Sequence, residues 1–222
     1  MNISKDKIKR AIKCLVDNGI EKDKAETVLQ ALGYILLDEE LFPKENLQHD
    51  ANSAPVLFVD LDGTLAEFKY AESMDILYEK GYFLNLRPIP GTIAGLRCFM
   101  KEHPEIEVYV LSAYLGDSKW ALQEKIMWLD TYFPELEEEH QLFVKCGQLK
   151  SDVPLKNQNA FLLDDHSPNL MDWEDAGFKG IKLLNGINGK GRKWKGETIS
   201  SALTAADFAA RLYDIMFTDK NA

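Results

Sequence analysis

An apolar run that ends directly in paired aspartates constrains this chain more than any other feature. Residues 56–59 are all apolar, and Asp60, Asp62, Gly63 and Thr64 follow at once in the string VLFVDLDGTL. A short, continuous apolar run is typical of a strand that is buried on both faces. In an extended segment, residues two apart point to the same side, so we expect the two carboxylates close together. Because like charges repel, such a pair needs a cation or a proton beside it.

Four further apolar runs alternate with amphipathic stretches along the chain. The predicted strands are residues 107–111, 142–144, 160–163 and 180–184, and the predicted helices are residues 91–103, 117–131, 168–175 and 204–217. This alternation is typical of a parallel sheet with helices on both faces. Ligands bind such sheets at the carboxyl ends of the strands. We therefore predict an α/β, Rossmann-like three-layer core over residues 56–222, with its site at that edge.

The first fifty residues have a different pattern. Apolar residues recur with helical spacing over residues 8–15 and again over residues 25–37, with Asn-Gly between the two stretches. This spacing predicts a helical hairpin over residues 1–50. Prolines and polar residues without an apolar period then predict a linker to about residue 55. The hairpin is a candidate for partner binding or for assembly into a homo-oligomer.

Composition excludes several classes of protein. The chain has 222 residues, with 26 Lys and Arg against 36 Asp and Glu, for a net charge of −10. A binder of polymeric nucleic acid needs a cationic surface, so that class is disfavoured. No apolar run is long enough to cross a membrane, and the charged amino terminus does not resemble a signal peptide. The 3 cysteines are widely spaced, which favours reduced thiols and a cytoplasmic location.

The string at residues 56–65 resembles the first motif of the haloacid dehalogenase (HAD) superfamily of aspartate-nucleophile phosphatases. Three further motifs of that superfamily can be assigned in chain order. Ser112 in VYVLSAY corresponds to the hydroxyl that binds a phosphoryl oxygen. Lys150 in GQLKSDVP is the first choice for the motif-three lysine, with Lys145 as the second. Asp164 and Asp165 in FLLDDHSPNL match the acidic motif that completes the metal site.

The resemblance implies a mechanism for each of these residues. Asp60 would be the nucleophile, and Asp62 would be the acid and base that serves the leaving group and then water. Mg²⁺ would be held by the side chains of Asp60 and Asp164 and the backbone carbonyl of Asp62, with Asp165 outside this first layer of ligands. Ser112, Lys150 and Thr64 would bind the phosphate.

Within the superfamily, the stretches WALQEKIMWLDTYFP and FLLDDHSPNLMDWEDAGFKG resemble bacterial members of the cytosolic 5′(3′)-deoxyribonucleotidase branch. This resemblance implies a phosphomonoesterase for a small phosphorylated metabolite, with a nucleoside monophosphate as the first candidate. A phosphatase or phosphotransferase for a sugar or another small metabolite would use the same residues. A regulatory protein that binds metal or ligand without turnover is an alternative of another class.

The segment between the first two motifs leaves room for a small cap only, at about residues 66–89. We predict a helix over residues 71–80 within it. Four aromatic residues fall in this cap: Phe68, Tyr70, Tyr82 and Phe83. They could stack on a base, or they could simply pack the lid. A basic stretch over residues 176–196 could attract an anionic substrate, or it could be a solvated loop.

Overall fold

The computed structural model describes residues 54–68, 73–153, 159–187 and 194–217. The predicted hairpin over residues 1–50, the linker up to residue 53 and Tyr70 lie outside these ranges. The predicted role of the hairpin in partner binding or self-assembly therefore stays a prediction.

The described residues contain one sheet of parallel strands. These are β1 (Val56–Val59), β2 (Glu107–Tyr114), β3 (Gln141–Lys145), β4 (Ala160–Asp164), β5 (Lys179–Leu184) and β6 (Glu197–Ser200). Their order across the sheet is β3-β2-β1-β4-β5-β6, and every neighbouring pair is parallel. The predicted parallel sheet is confirmed. Strand β6 was not predicted, because ETIS is short and has one apolar residue among its four.

Three of the helices in the described residues connect strands, and a fourth follows β6. They are α1 (Pro90–Glu102), α2 (Ala121–Tyr132), α3 (Ser167–Asp175) and α4 (Ala205–Phe217). Single 3₁₀ turns occur at Met74–Tyr78, Glu138–His140 and Lys150–Asp152. The cap segment predicted as a helix is thus a 3₁₀ turn in the part that the structure describes. Within the described ranges, no helix is both long enough and apolar enough to cross a membrane.

The central strand β1 buries both of its faces. Leu57 and Val59 belong to one core cluster, and Val56 and Phe58 belong to another. The first cluster includes side chains from three helices: Leu96 of α1, Trp128 of α2 and Phe208 of α4. The second includes Leu170 and Trp173 of α3. Helices therefore cover both faces of the sheet, as expected for three layers.

Helix α3 ends in a turn that returns the chain to the sheet. Gly177 has a φ of +92°, a conformation that glycine adopts at little cost. The amide of Gly177 donates to Glu174, the amide of Phe178 donates to Trp173, and the rings of Trp173 and Phe178 lie 5.0 Å apart. These are the contacts of a Schellman motif. The motif directs the chain into β5 beside β4, where the second pair of aspartates lies.

Gly95 in α1 provides a test of the packing between α1 and α4. A Cβ atom at this position would lie 2.4 Å from the ring of Phe208. Replacing glycine by alanine inside a helix normally stabilises by up to about 1 kcal/mol. Here we expect Gly95→Ala to lower the free energy of unfolding by about 1–2 kcal/mol, because overpacking a core costs about 1–3 kcal/mol. Urea denaturation measures the change.

The neighbouring exposed Ala94 supplies the control. Ala94→Gly tests helix propensity alone and should cost about 1 kcal/mol. A Gly95→Ala protein more stable than the wild type would contradict this account of the α1–α4 contact.

Candidate active site

Three neighbouring strands bring polar side chains to one edge of the sheet. Asp60 directly follows β1, Asp164 is the last residue of β4, and Ser112 lies in β2. Strand β1 lies between β2 and β4, with Val59 paired to Leu163. The amide of Asp60 donates to the carbonyl of Leu163 at 2.9 Å. The parallel register therefore sets Asp60 beside Asp164.

Lys150 lies between these two carboxylates. Its Nζ donates to Asp60 Oδ1 at 2.6 Å and to Asp164 Oδ2 at 2.7 Å. All three side chains are buried. Lys145, the second choice from the sequence, is exposed at the end of β3, and its stem passes Gly116. The geometry therefore favours Lys150 as the lysine of this site.

The buried cluster has two carboxylates but a single ammonium group, that of Lys150. Burial raises the pKa of Asp60 to about 8, and the negative charges of Asp164 and Asp62 add to the effect, while Lys150 opposes it. Burial also acts against the charge of Lys150, but the carboxylates of Asp164 and Asp60 outweigh it and raise the pKa of the ammonium above its usual value. One lysine does not compensate both carboxylates, so another cation or a proton is favoured here.

Asp165 adds a third carboxylate, which lies against Gly63 in the loop after β1. Its oxygens lie so close to Gly63 that a Cβ atom there would be 2.4 Å away, and Gly63 has a φ of +87°. The amide group of Asn185 donates to Asp165 Oδ2 at 3.2 Å and to the Gly63 carbonyl at 2.6 Å. Lys182 donates to the Asp165 carbonyl and to Ser167 Oγ. These contacts hold Asp165 against the loop that carries Asp60 and Asp62.

The three carboxylates form a group that could hold a divalent cation. Ligand oxygens of Asp60, Asp164 and Asp165 all lie within 4.8 Å of one another, and all three residues are buried. Carboxylate oxygens are the ligands that Mg²⁺ prefers, and the single ammonium group of Lys150 bonds to two of these three carboxylates. The donor set therefore fits Mg²⁺. Asp165, predicted outside the first layer of ligands, lies within this group, while the Asp62 carbonyl as a ligand stays a prediction.

The carboxylate of Asp62 lies on a second lysine. Lys125 of α2 donates to Asp62 Oδ2 at 2.5 Å, to Ser112 Oγ at 3.1 Å and to the Ala113 carbonyl at 2.5 Å. Its side chain is 1% exposed. Asp62 Oδ1 has no hydrogen-bond partner among the residues that the structure describes. Asp60 and Asp62 are thus each paired with a different buried lysine.

Sequence reasoning missed Lys125, although a signal was present. In α2, the buried positions Ala121, Lys125, Trp128 and Leu129 follow the i, i+4, i+7, i+8 spacing of one helix face. A lysine on an apolar face needs a buried partner. The helical spacing of these residues would therefore have indicated a buried lysine paired with an acidic or carbonyl group.

Several other side chains complete the site. Asn169 of α3, which was also missed, donates to Asp164 Oδ2 at 2.8 Å. The backbone amide of His166 donates to Asp164 Oδ1 at 2.7 Å, while the residue itself is exposed. Thr64 is completely buried, and its hydroxyl has no partner within the described ranges. Phosphate binding by Thr64 and Ser112 stays a prediction.

The cap brings aromatic rings close to Asp62. Tyr82 packs edge-on against Phe68 and Phe83, with ring centroids 6.3 and 5.0 Å apart. Burial raises the pKa of Tyr82, and the charge of Asp62 adds to the effect. Phe83 is buried, whereas Tyr82 is half-buried. Phe83 therefore packs the lid, whereas Tyr82 and Phe68 are both half-buried and keep some surface that a ligand could contact.

The basic stretch divides into different environments. Lys182 is buried beneath Asp165, and burial lowers its pKa although Asp165 and Asp164 oppose the shift. Lys179 lies over the ring of Phe161, 5.1 Å from its centroid. Residues 188–193 lie outside the described ranges. Attraction of an anion by this stretch stays a prediction.

The fold and the site define a Rossmann-like α/β protein with an acidic centre at the carboxyl ends of its strands. The family model described as 5′ nucleotidase, deoxy (Pyrimidine), cytosolic type C protein matches residues 69–188. This span is more than half of the chain, and the protein belongs to that family. The resemblance predicted from the sequence is therefore confirmed. The matched span includes Ser112, Lys150 and Asp164 but begins after Asp62.

The individual proteins that match this chain do so over part of their length or at low sequence identity. Two curated proteins of Staphylococcus epidermidis strains, each described as "Putative 5′(3′)-deoxyribonucleotidase", are 33% identical over 101 residues. The match covers 46% of this chain, and the chain spans about half the length of those relatives. A solved structure described as a "putative had-like phosphatase" from Mesorhizobium loti has 14% identity and a TM-score of 0.45, covering 76% of this chain and 89% of its own.

The contact between Gly63 and Asp165 leads to a test of the cation site. Gly63→Ala would push a methyl group into the Asp165 carboxylate and displace it from Asp60 and Asp164. We expect the affinity for Mg²⁺ to fall roughly 10- to 100-fold, as for other changes that misorient a ligand. Titration calorimetry, or the rise in Tm that Mg²⁺ produces, measures the effect.

Gly177→Ala is the matched control. Gly177 has a similar φ of +92°, but apart from its chain neighbours no atom of the described residues lies within 4 Å of the place that a Cβ would take there. The variant therefore has the backbone strain without the clash. Equal Mg²⁺ affinity in both variants would argue against Asp165 as a ligand.

Proposed function

We propose that this protein is a Mg²⁺-dependent phosphomonoesterase that uses Asp60 as its nucleophile and acts on nucleoside monophosphates. The observation that carries the proposal is the pairing of each aspartate of the first motif with a different buried lysine. Lys150 joins Asp60 to Asp164, and Lys125 joins Asp62 to Ser112. Such an arrangement gives two carboxylates separate roles.

The first carboxylate is suited to attack. Asp60, Asp164 and Asp165 would hold the cation, which when bound offsets negative charge on the phosphoryl oxygens and keeps Asp60 ionised. Lys150 contributes a second positive charge at Asp60 Oδ1. An oxygen of Asp60 attacks phosphorus, the bond from phosphorus to the ester oxygen breaks, and an aspartyl-phosphate forms.

The second carboxylate is suited to proton transfer. Lys125 holds Asp62 Oδ2, so Oδ1 is the oxygen available to carry the proton. Asp62 gives this proton to the leaving alkoxide, and it then accepts a proton from the water that attacks phosphorus. The second step releases inorganic phosphate and returns Asp60 to its carboxylate form.

The substrate class rests on the family and on the cap. The matched family is described as a deoxynucleotide 5′ nucleotidase, and the half-buried Tyr82 lies close enough to Asp62 for its pKa to respond to that charge. A nucleobase stacked on this ring would set the phosphate ester near Asp62, with stacking worth about 1–3 kcal/mol per base. The proposal also includes a cytoplasmic location, in keeping with the free thiols of Cys98 and Cys146.

Phosphate release with and without Mg²⁺ tests the proposal. The panel consists of deoxy- and ribonucleoside 5′- and 3′-monophosphates, sugar phosphates and p-nitrophenyl phosphate. We expect Mg²⁺-dependent release that is fastest with nucleotides. Asp60→Asn should reduce it to background, because the amide is not a nucleophile, while the Tm and circular dichroism stay those of a folded protein.

The other outcomes separate the alternatives. Release from sugar phosphates alone would retain the mechanism and exclude the nucleotide class. Full activity in Asp60→Asn would exclude Asp60 as the nucleophile. A folded protein that binds Mg²⁺ but hydrolyses no member of the panel would favour a binding or regulatory protein.

A further inference from the structure

Helix α2 holds the cap through a buried glutamate. Glu124 is 5% exposed, and its carboxylate accepts hydrogen bonds from the backbone amides of Gly81, Phe83 and Leu84, at 2.5, 3.1 and 3.4 Å. One turn later, Trp128 Nε1 donates to the Leu86 carbonyl at 2.8 Å. The segment 81–86, here called the cap loop, is therefore attached to one face of α2.

The next residue of the helix, Lys125, contacts the active site. Lys125 donates to Asp62, Ser112 and the Ala113 carbonyl, which accounts for all three hydrogens of its ammonium group. The same nitrogen lies 4.8 Å from the ring centroid of Phe83. Phe83 thus contacts both residues of the pair, through its amide to Glu124 and through its ring to Lys125.

Neither half of this arrangement can move without cost to the other. If the cap loop departed, the buried Glu124 carboxylate would lose its three donors, and a buried charge without partners is unfavourable. If Asp62 or Ser112 moved, Lys125 would lose acceptors in the same way. Glu124 and Lys125 are adjacent on a regular helix. If α2 shifted to keep Glu124 on the cap loop, Lys125 would therefore move relative to Asp62 and Ser112, and the reverse holds as well.

We propose that the Glu124–Lys125 pair couples the seating of the cap loop to the orientation of Asp62 and Ser112. A substrate that presses the cap loop onto α2 then also fixes the acid–base carboxylate, and both residues act as positioning residues. This inference rests on the proposed function only where turnover is concerned. The coupling itself is reciprocal and can be measured without substrate.

Amide hydrogen exchange tests the coupling directly. Asp62→Asn leaves the hydrogen bonds to Gly81, Phe83 and Leu84 in place, yet we expect exchange at these amides to accelerate roughly tenfold, within the usual range of coupling between sites. Lys125→Met should accelerate them too, but it also removes the contact of the ammonium group with the Phe83 ring, so Asp62→Asn is the decisive variant. Glu124→Gln, which weakens those hydrogen bonds, should accelerate the same amides. Lys125→Arg retains the charge and provides a second variant should Lys125→Met fold poorly.

Glu135→Gln is the matched control, because the Glu135 carboxylate pairs with Arg97 at the surface and its side chain is 49% exposed. This variant should leave exchange in the cap loop unchanged. Unaltered exchange at the three amides in Asp62→Asn, with Glu124→Gln accelerated, would overturn the proposal.

Kinetics then test the consequence for turnover. Nucleotides need a proton on their leaving alkoxide, whereas p-nitrophenolate leaves without one. We expect Lys125→Met to lower kcat/KM for the best nucleotide roughly 100-fold, the scale of a lost general acid, but p-nitrophenyl phosphate by less than about tenfold. Glu124→Gln should also lower kcat/KM more for the nucleotide than for p-nitrophenyl phosphate. In the double variant Glu124→Gln/Lys125→Met, the factor by which kcat/KM falls should be smaller than the product of the factors in the two single variants.

These measurements distinguish failure of the inference from failure of the proposed function. Equal decreases in kcat/KM for both substrates would overturn the coupling, and so would a decrease in the double variant equal to the product of the single decreases. In either case the wild type remains an active phosphatase. A wild type without activity on either substrate would overturn the proposed function, and the exchange measurement would still decide the coupling.

Discussion

The ammonium group of Lys150 lies between the carboxylates of Asp60 and Asp164, and the rest of the site depends on this contact. Asp60 directly follows one central strand and Asp164 ends another, and the side chains of both strands are buried. Two carboxylates in such a place repel each other unless positive charge lies between them. Lys150 can supply it because a 3₁₀ turn after β3 returns the chain to the sheet edge. Asp165 then adds the negative charge that makes a divalent cation favourable.

Helix α2 supplies the positive charge beside the second aspartate of the motif, Asp62. Lys125 pairs with Asp62 and joins it to Ser112, whereas Lys150 pairs with Asp60, so the two acids of one short motif have different partners. Glu124 attaches the cap loop to the same helix. In the proposed function, proton transfer by Asp62 and substrate selection by the cap loop would therefore depend on the same helix.

Much of this arrangement could be predicted from the sequence, because it is local. The apolar run of β1 and the aspartates after it lie in one string, and Lys150 precedes a proline in a segment that resembles a known motif. What could not be predicted depends on tertiary contacts. Lys125 lies 63 residues from Asp62, Asn185 contacts Gly63 across 122 residues, and β6 is a strand because β5 offers it an edge. The cap became a 3₁₀ turn at Met74–Tyr78, where Ser73 accepts from the amide of Asp75.

The central claim is that Asp60 carries the phosphoryl group during turnover, and acid-quench mass spectrometry tests it most directly. The protein is mixed with Mg²⁺ and its best substrate, quenched in acid and digested, and the peptide that contains Asp60 is analysed before and after hydroxylamine treatment. We predict one phosphoryl group on Asp60 that requires Mg²⁺ and is removed by hydroxylamine, as expected of an acyl phosphate. A phosphoryl group on another residue, or steady turnover with none trapped on Asp60, would contradict the account.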